Sequence, residues 1–293
     1  MDAPNPSATP TFANRTPLRI GAVGLIARDL ELLTNYYTQL LKLTVMERTG
    51  RFVRLGTGGV MLLELEHRPD ARPDDPSEAG LYHTAFLMPT RADLARWILH
   101  VAKARVPITG ASDHDVSEAI YLDDPEGNGI EVYSDRQADQ WRREGKTIFQ
   151  KTDPLDIDAI IREVDPTTAA YPAAPEGLRV GHIHLRVGDT AEAERFYCGG
   201  LGMEVTRQRT GATFISSGGY HHHVGANVWH SHGARKRDNN RAGLAWFSVE
   251  AENAAMFDAT RSAIAATGAP VGAIDGGIET ADPWGTRMRL LTA

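Results

Sequence analysis

Tyr121-Leu122-Asp123-Asp124-Pro125-Glu126-Gly127-Asn128-Gly129-Ile130-Glu131 reads as a strand, a tight turn and a second strand. Proline presets φ, glycine tolerates positive φ, and Asp and Asn bond their own backbone, so Asp124, Pro125, Gly127, Asn128 and Gly129 each suit the turn. Ile130, Val132 and Tyr133 carry the extended pattern out of it. Glu131 then stands inside an apolar strand, where a carboxylate is costly without a partner. This stretch alone leaves two readings open: a strand-end glutamate in a salt bridge, or a metal ligand held on a rigid strand.

Moving outward, the same order of elements recurs. From Leu18, Ile20 to Ile26 reads as a strand and Asp29 as a helix cap, and Leu30, Leu33, Tyr37, Leu40 and Leu41 follow at helical spacing. Val45 to Arg48, Phe52 to Leu55 and Val60 to Glu66 read as three further strands, with a hairpin turn at Gly56 to Gly59. At a constant offset of 160 positions Asp29 matches Asp189, Tyr37 matches Tyr197, Val45 matches Val205, and Gly58-Gly59 matches Gly218-Gly219. A second module runs from the strand Leu81 to Met88, through a helix with Leu94, Trp97, Ile98 and Val101 on one face, to Tyr133. A fourth begins at Gly243-Leu244 and closes on Asp282-Pro283-Trp284-Gly285, an echo of Asp124-Pro125-Glu126-Gly127. The fold class is therefore α+β, four β-α-β-β-β modules in two pairs. The expected divisions are a disordered tail at 1–16, a first two-module domain at 17–134, a joining segment at 135–177 and a second two-module domain at 178–293. In the joining segment Leu155, Ile157, Ile160, Ile161 and Val164 predict a short docked helix.

With 293 residues, 42% hydrophobic and 24% charged, the chain suits two cores of ordinary globular composition. A net charge of −7 with interspersed signs gives no footprint for nucleic acid. No apolar run approaches membrane length, and residues 1–16 lack the apolar middle of a signal peptide. The single cysteine, Cys198, excludes an internal disulfide and fits a cytoplasmic location.

The module order, the turn Asp-Pro-x-Gly-Asn-x-x-Glu and the run His182-Ile183-His184-Leu185-Arg186-Val187-Gly188-Asp189 resemble the vicinal oxygen chelate superfamily of glyoxalases, bleomycin-resistance proteins and type I extradiol dioxygenases. Gly80 to His83, Ser112 to Ala119, and Gly219-Tyr220-His221-His222-His223 look most like its CatE-type catechol 2,3-dioxygenase branch. The resemblance implies that each module pair curls a mixed sheet around a cavity.

Aligning the modules on one another places His83 and His182 at the first-strand position of modules two and three, against Ala22 and Trp246 in modules one and four. At the last-strand position module two has Glu131 and module four Arg289. Metal-capable residues are thus confined to the inner modules. Two imidazoles and one carboxylate form the face used by non-haem Fe(II), leaving open positions for substrate oxygens; Mn, Ni or Zn also fit such donors. For His83 and His182 a satisfied core histidine is the competing reading, and His184, on the same strand face as His182, reads as a supporting residue. A single ion held by all three would require module two to lie beside module three, across the joining segment.

Tyr220 to Trp229 reads as a strand opening with three histidines, and its counterpart in module one, Val60 to Glu64, is an ordinary core strand. The resemblance points to His222 as the acid–base histidine, with His221 and His223 on the opposite face or all three as a surface cluster. Tyr121 matches the active-site tyrosine, with an ordinary strand tyrosine as the alternative, and His114 is a candidate pocket histidine. The leading functional expectation is Fe(II)-dependent extradiol cleavage of a catechol or hydroquinone-like aromatic by O₂. Glyoxalase-like isomerase or lyase chemistry on another metal, and metal-free ligand sequestration, are the competing classes. No nucleic-acid or membrane partner is expected, and the superfamily resemblance implies a homodimer.

Overall fold

Each module of the computed structural model, which describes residues 10–293, opens with a strand whose end feeds a capped helix. The first module is β1 (Leu18–Ala27), α1 (Leu30–Leu40), β2 (Thr44–Arg48), β3 (Phe52–Thr57) and β4 (Val60–His67). The second is β5 (Gly80–Leu87), α2 (Arg91–Ala104), β6 (Gly110–Asp113), β7 (Ser117–Asp123) and β8 (Gly129–Asp135). Joining residues form β9 (Arg143–Glu144), β10 (Thr147–Ile148), β11 (Asp153–Pro154) and α3 (Ile157–Ile161). The third is β12 (Arg179–Arg186), α4 (Thr190–Leu201), β13 (Glu204–Arg209), β14 (Ala212–Ser216) and β15 (Val224–Asn227). The fourth is β16 (Gly243–Ala251), α5 (Ala254–Ala266), β17 (Val271–Ile274), β18 (Gly277–Ala281) and β19 (Arg287–Thr292). Asp29, Thr90, Asp189 and Asn253 cap the four module helices at matching places, each accepting from a first-turn backbone N–H. In every module the first and last strands pair in parallel, as a helical crossover requires.

The strands assemble across the chain. β5 pairs antiparallel with β12, giving a nine-stranded sheet from modules two and three, with β11 of the joining segment at one edge, in the order β11-β6-β7-β8-β5-β12-β15-β14-β13. β1 pairs with β16, giving an eight-stranded sheet from modules one and four. Contiguous modules are instead joined through helices and turns: Trp97 Nε1 on α2 donates to Leu40 O at 3.0 Å, and Tyr37 on α1 bonds Asp124 of the second module's turn at 3.0 Å. Tyr197 on α4 makes the equivalent bond to Asp282 of the fourth module at 3.1 Å. The sheets are mixed and curled as expected, and modules two and three lie side by side across the joining segment, the arrangement a single shared ion requires. An open first-strand edge finds its antiparallel partner in the other half of the chain, so the sheets run from one half to the other.

The predicted helix in the joining segment is α3; Ile160 is fully buried there, with Leu155, Ile157, Ile161 and Val164 packed against the same core. The expected tail falls in two parts. Residues 1–9 lie outside the described residues, whereas Phe12–Arg15 form a 3₁₀ turn. Phe12 packs against Trp141 and Tyr220, and Thr16 Oγ1 lies 3.1 Å from His223 Nε2.

Burial pushes the Asp282 carboxyl up to about 6, despite bonds from Thr286 N, Tyr197 and Trp284 N. The folded state then holds a proton that the unfolded chain, near its ordinary value, gives up. The stability linked to this proton is fully present below about pH 4 and is lost as pH rises through about 6, an effect of about 3 kcal/mol. Chemical denaturation of wild type and Asp282→Asn between these limits is expected to show the stability of the wild type falling relative to that of the variant as pH rises, because only the wild type carries this proton.

Candidate metal centre

The turn between β7 and β8, Asp124 to Asn128, sets the register of the site. Asp124 Oδ1 accepts from Glu126 N (2.8 Å) and Asn128 N (3.0 Å), and Asn128 Nδ2 donates to Asp124 Oδ2 (2.8 Å). That closure pairs Tyr121 with Glu131 across the β7–β8 hairpin, putting both side chains on one face. Gly129 is needed where β8 meets β5, because a Cβ there would lie 2.1 Å from the carbonyl oxygen of Tyr82. Ala85 of β5 is in register with Glu131 on one side and His182 of β12 on the other, so a methyl group separates two large side chains.

His83, Glu131 and His182 are all buried, and one donor atom from each lies within 4.8 Å of the others. Glu131 Oε2 is 2.9 Å from His83 Nε2 and 3.1 Å from His182 Nε2. Donors bound at about 2.1 Å and at right angles to one ion would stand about 3 Å apart, so this spacing suits a shared metal. His83 Nε2, although close to the carboxylate, makes no well-aligned hydrogen bond. Burial pushes His182 down to about 4, only partly opposed by Glu131. Burial would raise Glu131, yet the pull of His182 and His83 holds it well below the carboxylate range. Neutral imidazole beside carboxylate is the protonation state a divalent cation requires. The donor set fits a metal.

A cavity of about 530 Å³ opens on this cluster, lined by His83, Glu131, His222, Tyr121 and His114 among others. His114 Nδ1 lies 2.7 Å from the carbonyl of Lys151, which can only accept. In the neutral ring Nε2 is therefore the acceptor, and Tyr121 Oη, 2.7 Å away, donates to it. His184 is not part of the cluster: its Nε2 accepts from Asn227 Nδ2 at 3.1 Å. Gly225 makes room for that ring, since a Cβ would sit 2.9 Å from His184 Cγ.

The three consecutive histidines lie just before β15 rather than in a strand, so strict alternation does not apply. His223 turns away from the cavity to Ser216 Oγ (3.0 Å) and Thr16. His222 lines the cavity with its ring centroid 4.1 Å from that of His182, and burial holds its pKa well below the usual value. His221 does not point to the face opposite His222 but lies beside it. Its Nε2 is 2.9 Å from Asp135 Oδ1, and its Nδ1 is 2.8 Å from His222 Nδ1. A carboxylate fixes the proton on His221 Nε2, so His222 donates from Nδ1 and keeps Nε2 unprotonated. The sequence reading missed Asp135, and it also missed Gln150, Thr152 and Arg209 in the cavity wall.

The glyoxalase/bleomycin resistance protein/dioxygenase superfamily model matches residues 19–132 and 179–289. The chain belongs to this superfamily. It is 34% identical over 270 residues to a catechol-2,3-dioxygenase of Bacillus subtilis (strain 168), covering 90% of this chain and 93% of that protein. A crystal structure of a protein from Bacillus subtilis subsp. subtilis str. 168 superposes with a TM-score of 0.64 at 16% identity, covering 93% of this chain and 84% of that one. Glyoxalase I from Zea mays superposes at 0.57 and 14% identity, covering 96% and 94%. At such identities these two structures show the shared superfamily fold and nothing finer. No helix among the described residues is long and apolar enough to cross a membrane.

Proposed function

We propose that this chain is an Fe(II)-dependent extradiol dioxygenase that opens the ring of a catechol or hydroquinone-like aromatic with O₂, and that His83, Glu131 and His182 hold the metal. The observation that carries the reading is the convergence of two imidazoles and one carboxylate on a cavity of about 530 Å³, in a chain similar over most of its length to a catechol-2,3-dioxygenase. When bound, Fe(II) would supply Lewis-acid and redox chemistry toward the ring and dioxygen. Mn, Ni or Zn could also bind these donors.

The chain's own groups do the rest. Tyr121, anchored through its hydroxyl to His114, stands beside Glu131 to orient a ring oxygen. His222 Nε2, left basic by its neighbour, accepts the proton of a ring hydroxyl and returns it later. Phe214, Trp229 and Ile130 give the ring apolar walls. Isomerase chemistry usually adds a fourth protein ligand that acts as base; among the described residues no fourth donor joins His83, Glu131 and His182 within 4.8 Å.

The test is metal analysis of protein purified without oxygen, followed by mixing with a catechol and hydroquinone panel. Iron and a yellow ring-opened semialdehyde are the expected results. A colourless panel with stoichiometric nickel or zinc would overturn the reading in favour of the isomerase class.

A further inference from the structure

The cavity has one corner that ring cleavage leaves unused. The strands at the two edges of the nine-stranded sheet, β13 and β11, come together there, because Arg209 at the end of β13 reaches Thr152, just before β11. Its guanidinium lines the cavity and donates to Thr152 Oγ1 (3.0 Å) and to the carbonyl of Gln150. Both acceptors are neutral. Among the described residues no carboxylate lies within 4.0 Å of Arg209, whereas Arg91, Arg136, Arg186 and Arg241 each pair with one. Burial and the nearby Arg207 both push its pKa down, as expected of a cation lacking an anion. A guanidinium has five N–H donors, so the two bonds leave others free.

Gln150 is the second, independent observation. Its side chain lines the same wall and is only 9% exposed, yet its buried Nε2 has no hydrogen-bond partner. A buried amide donor without a partner costs about 1–3 kcal/mol. The corner therefore holds an uncompensated cation and an idle donor, and a carboxylate would satisfy both, since it has acceptor positions for a guanidinium and an amide together. Size agrees: a cavity of about 530 Å³ lies in the range that takes more than a bare ring. Charge agrees too, because a dication with Glu131 and a singly ionised catechol is already neutral, leaving a further carboxylate to be matched elsewhere.

We propose that Arg209, Gln150 and Thr152 form a subsite for a carboxylate on a side arm of the substrate, so that the preferred substrate class is the dihydroxylated aromatic acids. The proposal rests on the ring-cleavage reading for the chemistry but not for the binding. Arg209 is a specificity residue in this scheme.

The experiment compares a dihydroxyphenylpropionate with its methyl ester, by anaerobic calorimetry for binding and by kcat/KM for turnover. In the wild type the acid is expected to exceed the ester by about 10–100-fold, the range of a hydrogen bond to a charged group. Arg209→Gln should bring the ratio close to one, and Arg209→Lys should restore part of it. Because Arg209 also joins two edge strands, Gln150→Ala gives a second route and should lower the same ratio several-fold. An ester that binds as well as the acid, or a ratio unchanged in both variants, overturns the subsite. Acid-selective binding lost in the variants, without yellow product from any ring, would uphold the subsite and refute ring cleavage. Equal yellow turnover of acid and ester would do the reverse.

Discussion

Glu131→Gln is expected to empty the centre of metal while costing the metal-free protein less than a broken buried salt bridge would. Glutamine keeps the shape of the side chain but removes the only negative charge among the three donors, so bound metal should fall from about one ion per chain to nearly none. Removing even a partner of a metal ligand costs about 10–100-fold in affinity, and loss of a ligand's charge should cost more. The stability arm separates the two readings that the sequence left open for this residue. If Glu131 served as half of a buried salt bridge, breaking it would cost about 3–5 kcal/mol by stranding a charge. His182, held to about 4 by burial, is neutral at neutral pH, so its loss of Glu131 strands none. Elemental analysis and denaturant titration of the metal-free forms read both arms. A variant that keeps its metal, or one that loses several kcal/mol, would remove Glu131 from the ligand set.

Why the centre could be read in advance is a matter of residue chemistry. A carboxylate at Glu131 and imidazoles at His83 and His182 stand where strands otherwise bury aliphatic groups, and the internal repeat supplied its own control in Ala22, Trp246 and Arg289. The structure shows what the outer modules did with the freed space: Arg289 lies over the Trp246 ring at 3.9 Å. The missed residues have no such mark. Asp135 is one of many acidic residues, and only the curl of the sheet brings it to His221, 86 positions later. Gln150 and Thr152 sit in a stretch read as a connection, yet that stretch makes a wall of the cavity and holds His114 in place. Phe12 was hidden by a Pro- and Thr-rich neighbourhood, although its ring packs on Trp141. Contacts that depend on sheet closure leave no local periodicity to detect.

His222→Ala should retain metal and lose turnover by about 10²–10⁴-fold, the usual contribution of a positioned acid–base group. The chain Asp135–His221–His222 makes a sharper form of this prediction. Asp135 can only accept, so the proton of His221 stays on Nε2 and the basic nitrogen of His222 faces the cavity. Asp135→Asn is nearly isosteric but can donate an N–H to His221 Nε2. The His221 proton would then move to Nδ1, His222 would have to accept there, and its cavity-facing nitrogen would carry the hydrogen. A base in the wrong tautomer is nearly as inactive as an absent one, so the loss should approach that of His222→Ala, with metal content unchanged. Asp135→Glu, which still only accepts, should recover part of the rate. Combining Asp135→Asn with His222→Ala should cost little beyond His222→Ala alone, because groups acting as one unit are not additive. Fully additive losses would mean that Asp135 merely supports the fold around Tyr220 and His221, and that His222 takes its proton state from elsewhere.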